Sequence, residues 1–199
     1  SMGAISLITL QMAGYVAKDS NGTVSESETA PSLRWAEVKF RKNAPFSLNP
    51  DTSDNYVYMD ELLNYLINKY GKANTNTGIK GYILDNEPDL WSSTHPRIHP
   101  NAVTCSELIS KSIELAKVIK EMDPDAMVLG YESYGFNGYY SLQNAPDWDQ
   151  VKGNHEWFIS YYLEKMRQAS ESYGKRLLDV LSLHWYPEAS SSSGVRICF

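Results

Sequence analysis

The tripeptide Asn86-Glu87-Pro88 carries residue types on which acid–base chemistry could rest. It follows a short apolar run, so the carboxyl group of Glu87 would stand at the end of a buried strand. Hydrolysis of a glycosidic bond needs one carboxylic acid to protonate the leaving oxygen and a second carboxylate across the sugar ring. An ordinary strand-to-loop turn is also rich in Asn, Glu and Pro. The tripeptide by itself leaves both interpretations open.

Polar and aromatic side chains also follow the other apolar runs. A pyranose ring presents C–H groups that stack on aromatic faces, although clustered rings more often fill a core. We expect His184 to donate a hydrogen bond to a substrate, and Trp185 or Tyr186 to stack on a sugar; packing at the mouth of the fold is the alternative. Trp35 stands in a long loop, a place where function often resides. The candidate substrate-binding residues are Asn86, Trp91, Glu132, Tyr134, His184, Trp185, Tyr186 and Trp35.

The elements that must position these residues alternate between strand and helix. Apolar runs at 5–12, 79–85, 126–131 and 179–184 predict buried parallel strands, and helical patterns cover 59–70, 104–122 and 155–173. Such alternation predicts an α/β protein with a parallel sheet. A doubly wound sheet and a (β/α)₈ TIM barrel both fit this order. No Gly-rich phosphate loop follows a strand, whereas polar residues crowd the carboxyl ends of the strands, which favours the barrel.

A complete barrel needs eight strands, and this chain offers four. We therefore expect residues 1–199 to form one partial catalytic domain, about the third to sixth strands with their helices, truncated at both ends. Half a barrel leaves strand edges without partners and apolar surface uncovered. Self-association through these unpaired barrel edges is the consequence that we predict.

Composition narrows the class of partner. The chain has 199 residues, a net charge of −6 and a pI near 5.2, which argues against nucleic acid and anionic membranes as partners. Fourteen Tyr and five Trp residues supply many ring faces for a neutral substrate such as a sugar. His95 and His99 have a spacing that suggests a metal site, but Pro96 and Pro100 make a helix there improbable, so the two rings need not converge.

Three segments resemble glycoside hydrolase family 44. The first is 81–100, which contains Asp85-Asn86-Glu87-Pro88; the others are 135–139 and 183–189. The resemblance covers nearly the whole chain. It implies a (β/α)₈ barrel with an added β-sandwich, and an endo-β-1,4-glucanase or xyloglucanase that retains the anomeric configuration. It also implies a β-glucan polysaccharide or oligosaccharide as partner, and secretion from the cell.

The same resemblance assigns roles to residues. Glu87 is expected to be the acid/base, and Asn86 to hold the 2-hydroxyl of the sugar. The nucleophile is expected to be a second glutamate at the end of the seventh strand, beyond residue 199. No organic cofactor is expected, and the resemblance allows a structural calcium ion whose ligands cannot be assigned. Glu132 or Glu188 could replace the nucleophile, although a hydrogen bond from substrate or Glu87 suits Glu132 better.

Two alternatives to this enzyme stay open at this point. A cleft with one carboxylate could bind a glycan without cutting it. A xylanase-like hydrolase could also share the barrel and a similar Asn-Glu-Pro strand end.

Overall fold

The computed structural model describes residues 3–186, 189–194 and 196–197. The strands in this part of the chain are β1 (Leu7–Leu10), β2 (Tyr15–Ala17), β3 (Trp35–Lys39), β4 (Tyr56–Tyr58), β5 (Gly81–Leu84), β6 (Met127–Ser133), β7 (Val180–Leu183), β8 (Ala189–Ser190) and β9 (Arg196–Ile197). The helices are α1 (Met59–Tyr70), α2 (Trp91–Thr94), α3 (Cys105–Met122), α4 (Phe136–Ser141), α5 (Trp148–Val151) and α6 (Phe158–Tyr173).

The main sheet has four parallel strands in the order β1-β5-β6-β7. All four strands predicted from the apolar runs are present, with ends that differ by a few residues. Successive strands add in one direction, whereas a doubly wound sheet reverses its strand order at a switch point. Because crossovers are right-handed, this order places the long helices on one face, and α3 packs against both α1 and α6. The sheet therefore has the topology of part of a (β/α)₈ barrel.

The three long helices confirm the helical patterns. At the start of α3, the backbone N–H of Glu107 donates to the Thr104 hydroxyl at 3.0 Å, which caps the helix. Leu108 and Leu115 are fully buried on its inner face. The helix α6 begins at Phe158, three residues later than predicted, because 152–155 close a turn in which the His155 N–H donates to the Lys152 carbonyl at 2.9 Å.

A second, small sheet replaces the long loop expected between residues 15 and 55. Its order is β2-β3-β4, with β2 antiparallel and β4 parallel to β3. Trp35 is the first residue of β3, so the expectation that it lies in a loop is wrong. These strands have only three to five residues, too few for an alternating pattern to be separated from the turn residues around them.

The helices of the described residues include none that combines the length and apolar character needed to cross a membrane. The side chains with the least exposure form one cluster between the main sheet and the helices that cover it. The polar side chains gather elsewhere, at the carboxyl ends of the strands.

Candidate active site

The end of β5 is held by the carboxylate of Asp85. Its Oδ2 accepts from the backbone N–H of Met12 and from that of Ala13, the latter at 3.0 Å, and its Oδ1 accepts from the Asn86 N–H at 2.7 Å. Burial raises the pKa of Asp85, although these backbone hydrogen bonds act against the rise. The carboxylate thus ties the end of β5 to the chain that follows β1, and it fixes where the next two residues stand.

Glu87 and Glu132 both adopt left-handed backbone conformations, with φ of 45° and 53°. The N–H of Glu87 donates to the Glu132 carbonyl at 3.0 Å, so the two strand ends are joined next to both carboxyl groups. Non-glycine residues in this region cost about 1–3 kcal/mol each and cluster at functional sites. Pro88, the first residue of a short 3₁₀ turn, is buried and carries the chain away from the site.

His184 lies between two carboxylates at the end of β7. Its Nδ1 is 2.7 Å from Oε1 of Glu87, and its Nε2 is 2.9 Å from Oε2 of Glu132. The main chain is fixed as well, because the His184 N–H donates to the Ser133 carbonyl at 2.9 Å and the Tyr139 hydroxyl donates to the His184 carbonyl.

Burial alone would lower the pKa of His184, but the hydrogen bond to Glu87 and the charges of Glu132 and Glu87 outweigh it and raise that pKa. Both ring nitrogens are engaged by protein carboxylates. The expectation that the ring donates a hydrogen bond to a substrate stays a prediction. Asn86 is exposed beside Glu87, and its contact with a sugar hydroxyl stays a prediction.

Exposed aromatic rings border Glu87. The Tyr186 hydroxyl donates to Oε1 of Glu87 at 3.1 Å, and this bond with the nearby carboxylate charge raises the pKa of Tyr186. The Tyr186 ring lies 5.7 Å from the Tyr134 ring, centre to centre. Tyr134, Tyr186 and Trp185 are 38%, 54% and 74% exposed, so all three offer surface to a ligand.

Asp89 organises this aromatic border, and it was missed by the sequence reasoning. Its carboxylate accepts from the Tyr134 N–H at 3.1 Å and from the Ser133 hydroxyl at 2.9 Å. Asp89 is only 6% exposed, and burial raises its pKa. The one signal in the sequence was its position, two residues after Glu87 in segment 81–100. A pattern of residue types does not reveal whether a carboxylate is buried.

Trp91 is not part of the site. It is 1% exposed, and its ring packs 5.1 Å from the His99 ring and 5.4 Å from the Lys111 Nζ. Trp91, one of the candidate substrate-binding residues, therefore has no ring face open to a sugar, because the ring at the start of α2 is packed into the core. The orientation of the Trp35 ring is set by a hydrogen bond, in which its indole N–H donates to the Glu28 carbonyl at 2.7 Å.

Glu132 is poorly placed to replace the nucleophile. The two carboxyl groups of a retaining pair lie about 5–5.5 Å apart with the sugar between them, whereas here the His184 imidazole occupies the space between Glu87 and Glu132. The side chain of Glu132 is 11% exposed. Glu188, the other substitute, lies outside the described residues. A nucleophile on a seventh strand stays a prediction.

His99 is engaged by Glu107, whose Oε1 lies 3.0 Å from its Nε2, and this hydrogen bond raises the pKa of His99. Within the described residues, no three His, Cys, Asp or Glu side chains are grouped so that they could hold a metal ion. The structural calcium ion stays a prediction, since carbonyl and water ligands are also usual for calcium.

A glutamate at the carboxyl end of a parallel barrel strand, bordered by exposed rings, is a site typical of barrel enzymes that act on sugars. The chain belongs to glycoside hydrolase family 44, whose family model matches residues 1–189. The family expected from the three segments is therefore confirmed, and so is the partial (β/α)₈ barrel.

Two solved structures are close to the chain. The family 44 endoglucanase Cel44A of Clostridium thermocellum is 62% identical, with a TM-score of 0.95 over 98% of this chain and 38% of that one. A Paenibacillus polymyxa xyloglucanase of the same family, solved with xyloglucan, is 59% identical, with the same TM-score and the same coverage.

A curated relative is closer still in sequence. The β-mannanase/endoglucanase A of Caldicellulosiruptor saccharolyticus is 74% identical over 196 residues, which are 98% of this chain and 15% of that protein. The chain thus spans well under half the length of the relatives that it matches.

Proposed function

We propose that the protein carrying this chain is a retaining endo-β-1,4-glucanase that acts on soluble or amorphous glucans, xyloglucan included. The observation that carries the proposal is the Glu87 carboxyl group. It stands at a barrel strand end, is held by His184 and Tyr186, and lies beside exposed rings. Relatives described as endoglucanases and a xyloglucanase solved with xyloglucan support the choice of substrate.

Glu87 has two tasks in this reaction. In the first step, its carboxyl proton passes to the glycosidic oxygen while the nucleophile bonds to the anomeric carbon, and the leaving chain departs with a new hydroxyl group. In the second step, the Glu87 carboxylate takes a proton from water. The water oxygen bonds to the anomeric carbon and the nucleophile is released, so the configuration is retained. The nucleophile is expected on a seventh strand, as in the family.

The rings and the amide would orient the sugar. Tyr134, Trp185 and Tyr186 present exposed faces for the C–H groups of glucosyl units. Asn86, next to the acid/base, is placed to contact the 2-hydroxyl, where hydrogen bonds strengthen in the transition state.

Release of reducing ends from xyloglucan and carboxymethylcellulose by the full-length protein tests this proposal. The variant Glu87→Gln keeps the shape of the side chain but has no proton to donate, so we expect kcat to fall by about 10²–10⁴-fold. For aryl glycosides, whose leaving groups need little protonation, the substitution should slow the first step much less. Glu156→Gln, an exposed glutamate after α5, is the matched control and should behave as wild type.

An unchanged rate for Glu87→Gln on xyloglucan would contradict the proposal. A glycan-binding protein that does not cut would show no turnover in either form, with an affinity for glucan, measured by calorimetry, that survives the substitution. A xylanase-like hydrolase would release more reducing ends from xylan than from xyloglucan.

We also propose that the protein acts outside the cell, because a polymeric glucan does not cross a membrane. The measurement is the distribution of the protein between culture medium and cells of the source organism, and retention inside the cells would contradict the proposal.

A further inference from the structure

The two carboxylates around His184 differ in how open they are to solvent. The side chain of Glu87 is 18% exposed, and Tyr186 beside it is open to solvent. Glu132 approaches the far nitrogen of the same ring and has 11% of its side chain exposed. The imidazole is the side chain that links the Glu132 carboxylate to Glu87, and the mechanism above gives Glu132 no task.

We infer that Glu132, acting through His184, sets the upper end of the pH range in which Glu87 works as the acid. Glu132 and His184 are then positioning residues of this site, and the inference rests on the proposed function. Neither residue transfers a proton to the sugar. Their effect is on the charge that faces Oε1 of Glu87.

The chemistry of imidazole gives the direction of the effect. A neutral imidazole donates one hydrogen bond and accepts one, whereas the protonated ring donates from both nitrogens. Carboxylates 2.7 Å and 2.9 Å from its two nitrogens therefore favour the protonated ring. A protonated ring stabilises the carboxylate form of Glu87, so it opposes the protonated form that the first step consumes.

Removing the charge of Glu132 should reverse this. The ring then becomes neutral at lower pH, and its Nδ1 can accept a hydrogen bond from the Glu87 carboxyl group. Both changes favour the protonated form of Glu87, because the positive charge next to Oε1 is lost and an acceptor for its proton is gained. The negative charge of Glu132, which the substitution also removes, lies on the far side of the ring, so its direct effect on Glu87 is the smaller one. The alkaline limb of the kcat/KM profile, which reports the acid in the free enzyme, should move to higher pH.

The backbone makes Glu132 a stable partner. Its carbonyl accepts from the Glu87 N–H at 3.0 Å, which fixes its main chain, and the residue is 8% exposed, so its carboxylate has little access to bulk water. Other titratable groups surround the cluster from each neighbouring element, and a change at Glu132 leaves them in place. They are Asp85 and Asp89 after β5, Tyr134 after β6, Tyr139 on α4 and Tyr186 after β7.

The test compares Glu132→Gln with Glu132→Asp and the control Glu156→Gln in the full-length protein. For Glu132→Gln we expect the alkaline limb of kcat/KM on xyloglucan to move up by about one pH unit, with the acidic limb unchanged. Glu132→Asp, which keeps the charge, should restore part of the wild-type position. A uniform loss of rate at every pH, with both limbs unmoved, would overturn the inference.

A second readout does not depend on activity. Nitrogen chemical shifts of labelled histidine, with the His184 signal assigned by its loss in His184→Gln, report the ring's titration directly. The pKa of His184 should fall in Glu132→Gln and stay unchanged in Glu156→Gln. If it does not fall, the inference is overturned. If it falls while the wild type cuts no glucan, only the proposed function fails.

Discussion

At the scale of single residues, His184 and Tyr186 engage the same oxygen of Glu87. The His184 ring and the Tyr186 hydroxyl reach Oε1, and no side chain within the described residues forms a hydrogen bond with Oε2. This leaves Oε2 as the oxygen that can face a glycosidic bond. The pair of donors would hold the carboxyl plane at one angle while the proton is transferred.

The Tyr186 hydroxyl can be tested without removing its ring. Tyr186→Phe deletes the 3.1 Å hydrogen bond to Glu87 and keeps the stacking surface. Because Tyr186 is 54% exposed, we expect a loss of about 1 kcal/mol, or several-fold in kcat/KM on xyloglucan. Tyr140→Phe is the control, since its ring is also exposed and packs against Trp157. A loss as large as that of Glu87→Gln would contradict this ranking.

At the scale of elements, the end of β6 and the start of α4 are built around the Asp89 carboxylate. A Cβ atom on Gly138 would come within 1.9 Å of the Asp89 Oδ2 and 2.1 Å of the Ser133 hydroxyl. The helix therefore lies directly against the group that holds Tyr134. The aromatic border of the site depends on this close approach.

Gly138→Ala should lower the free energy of unfolding by about 1–3 kcal/mol through overpacking, even though alanine favours a helix more than glycine does. Gly135→Ala is the matched control. Gly135 has an extended φ of 174°, and a Cβ there meets no atom within 4 Å. Urea unfolding of both variants measures the difference. Equal urea midpoints for the two variants would contradict the prediction, because Asp89 and Ser133 would then move aside without a loss of stability.

At the scale of the whole molecule, the outer strands of the main sheet are β1 and β7. Leu7 on β1 is 39% exposed and Leu181 on β7 is 36% exposed, so each edge strand has an exposed apolar side chain. Strand edges of this kind pair with other chains unless they are covered. Self-association of the isolated chain stays a prediction.

Sedimentation of the isolated chain at several concentrations measures this association. Leu181→Lys should reduce it, because a charge on an edge strand opposes pairing. Leu33→Lys is the control, since Leu33 is 94% exposed and lies outside the main sheet. A monodisperse wild-type monomer with cooperative unfolding would contradict the prediction.

Local patterns were sufficient for much of the fold. The apolar runs placed the four strands of the main sheet, and the helical patterns placed α1, α3 and α6. Each signal depends on neighbours within one element. The strands β2 to β4 were not predicted, because three to five residues carry too little periodicity. Their pairing is decided by contacts between segments.

The sequence by itself determined the barrel class, the family resemblance and the position of Glu87 at a strand end, since all three are carried by contiguous residues. Only the tertiary structure decided that His184 stands between Glu87 and Glu132, and that Trp91 is buried. Glu87 and His184 are 97 residues apart. Their contact depends on strand register and the direction of each side chain at the sheet's edge, which packing of the whole chain sets and no local pattern encodes.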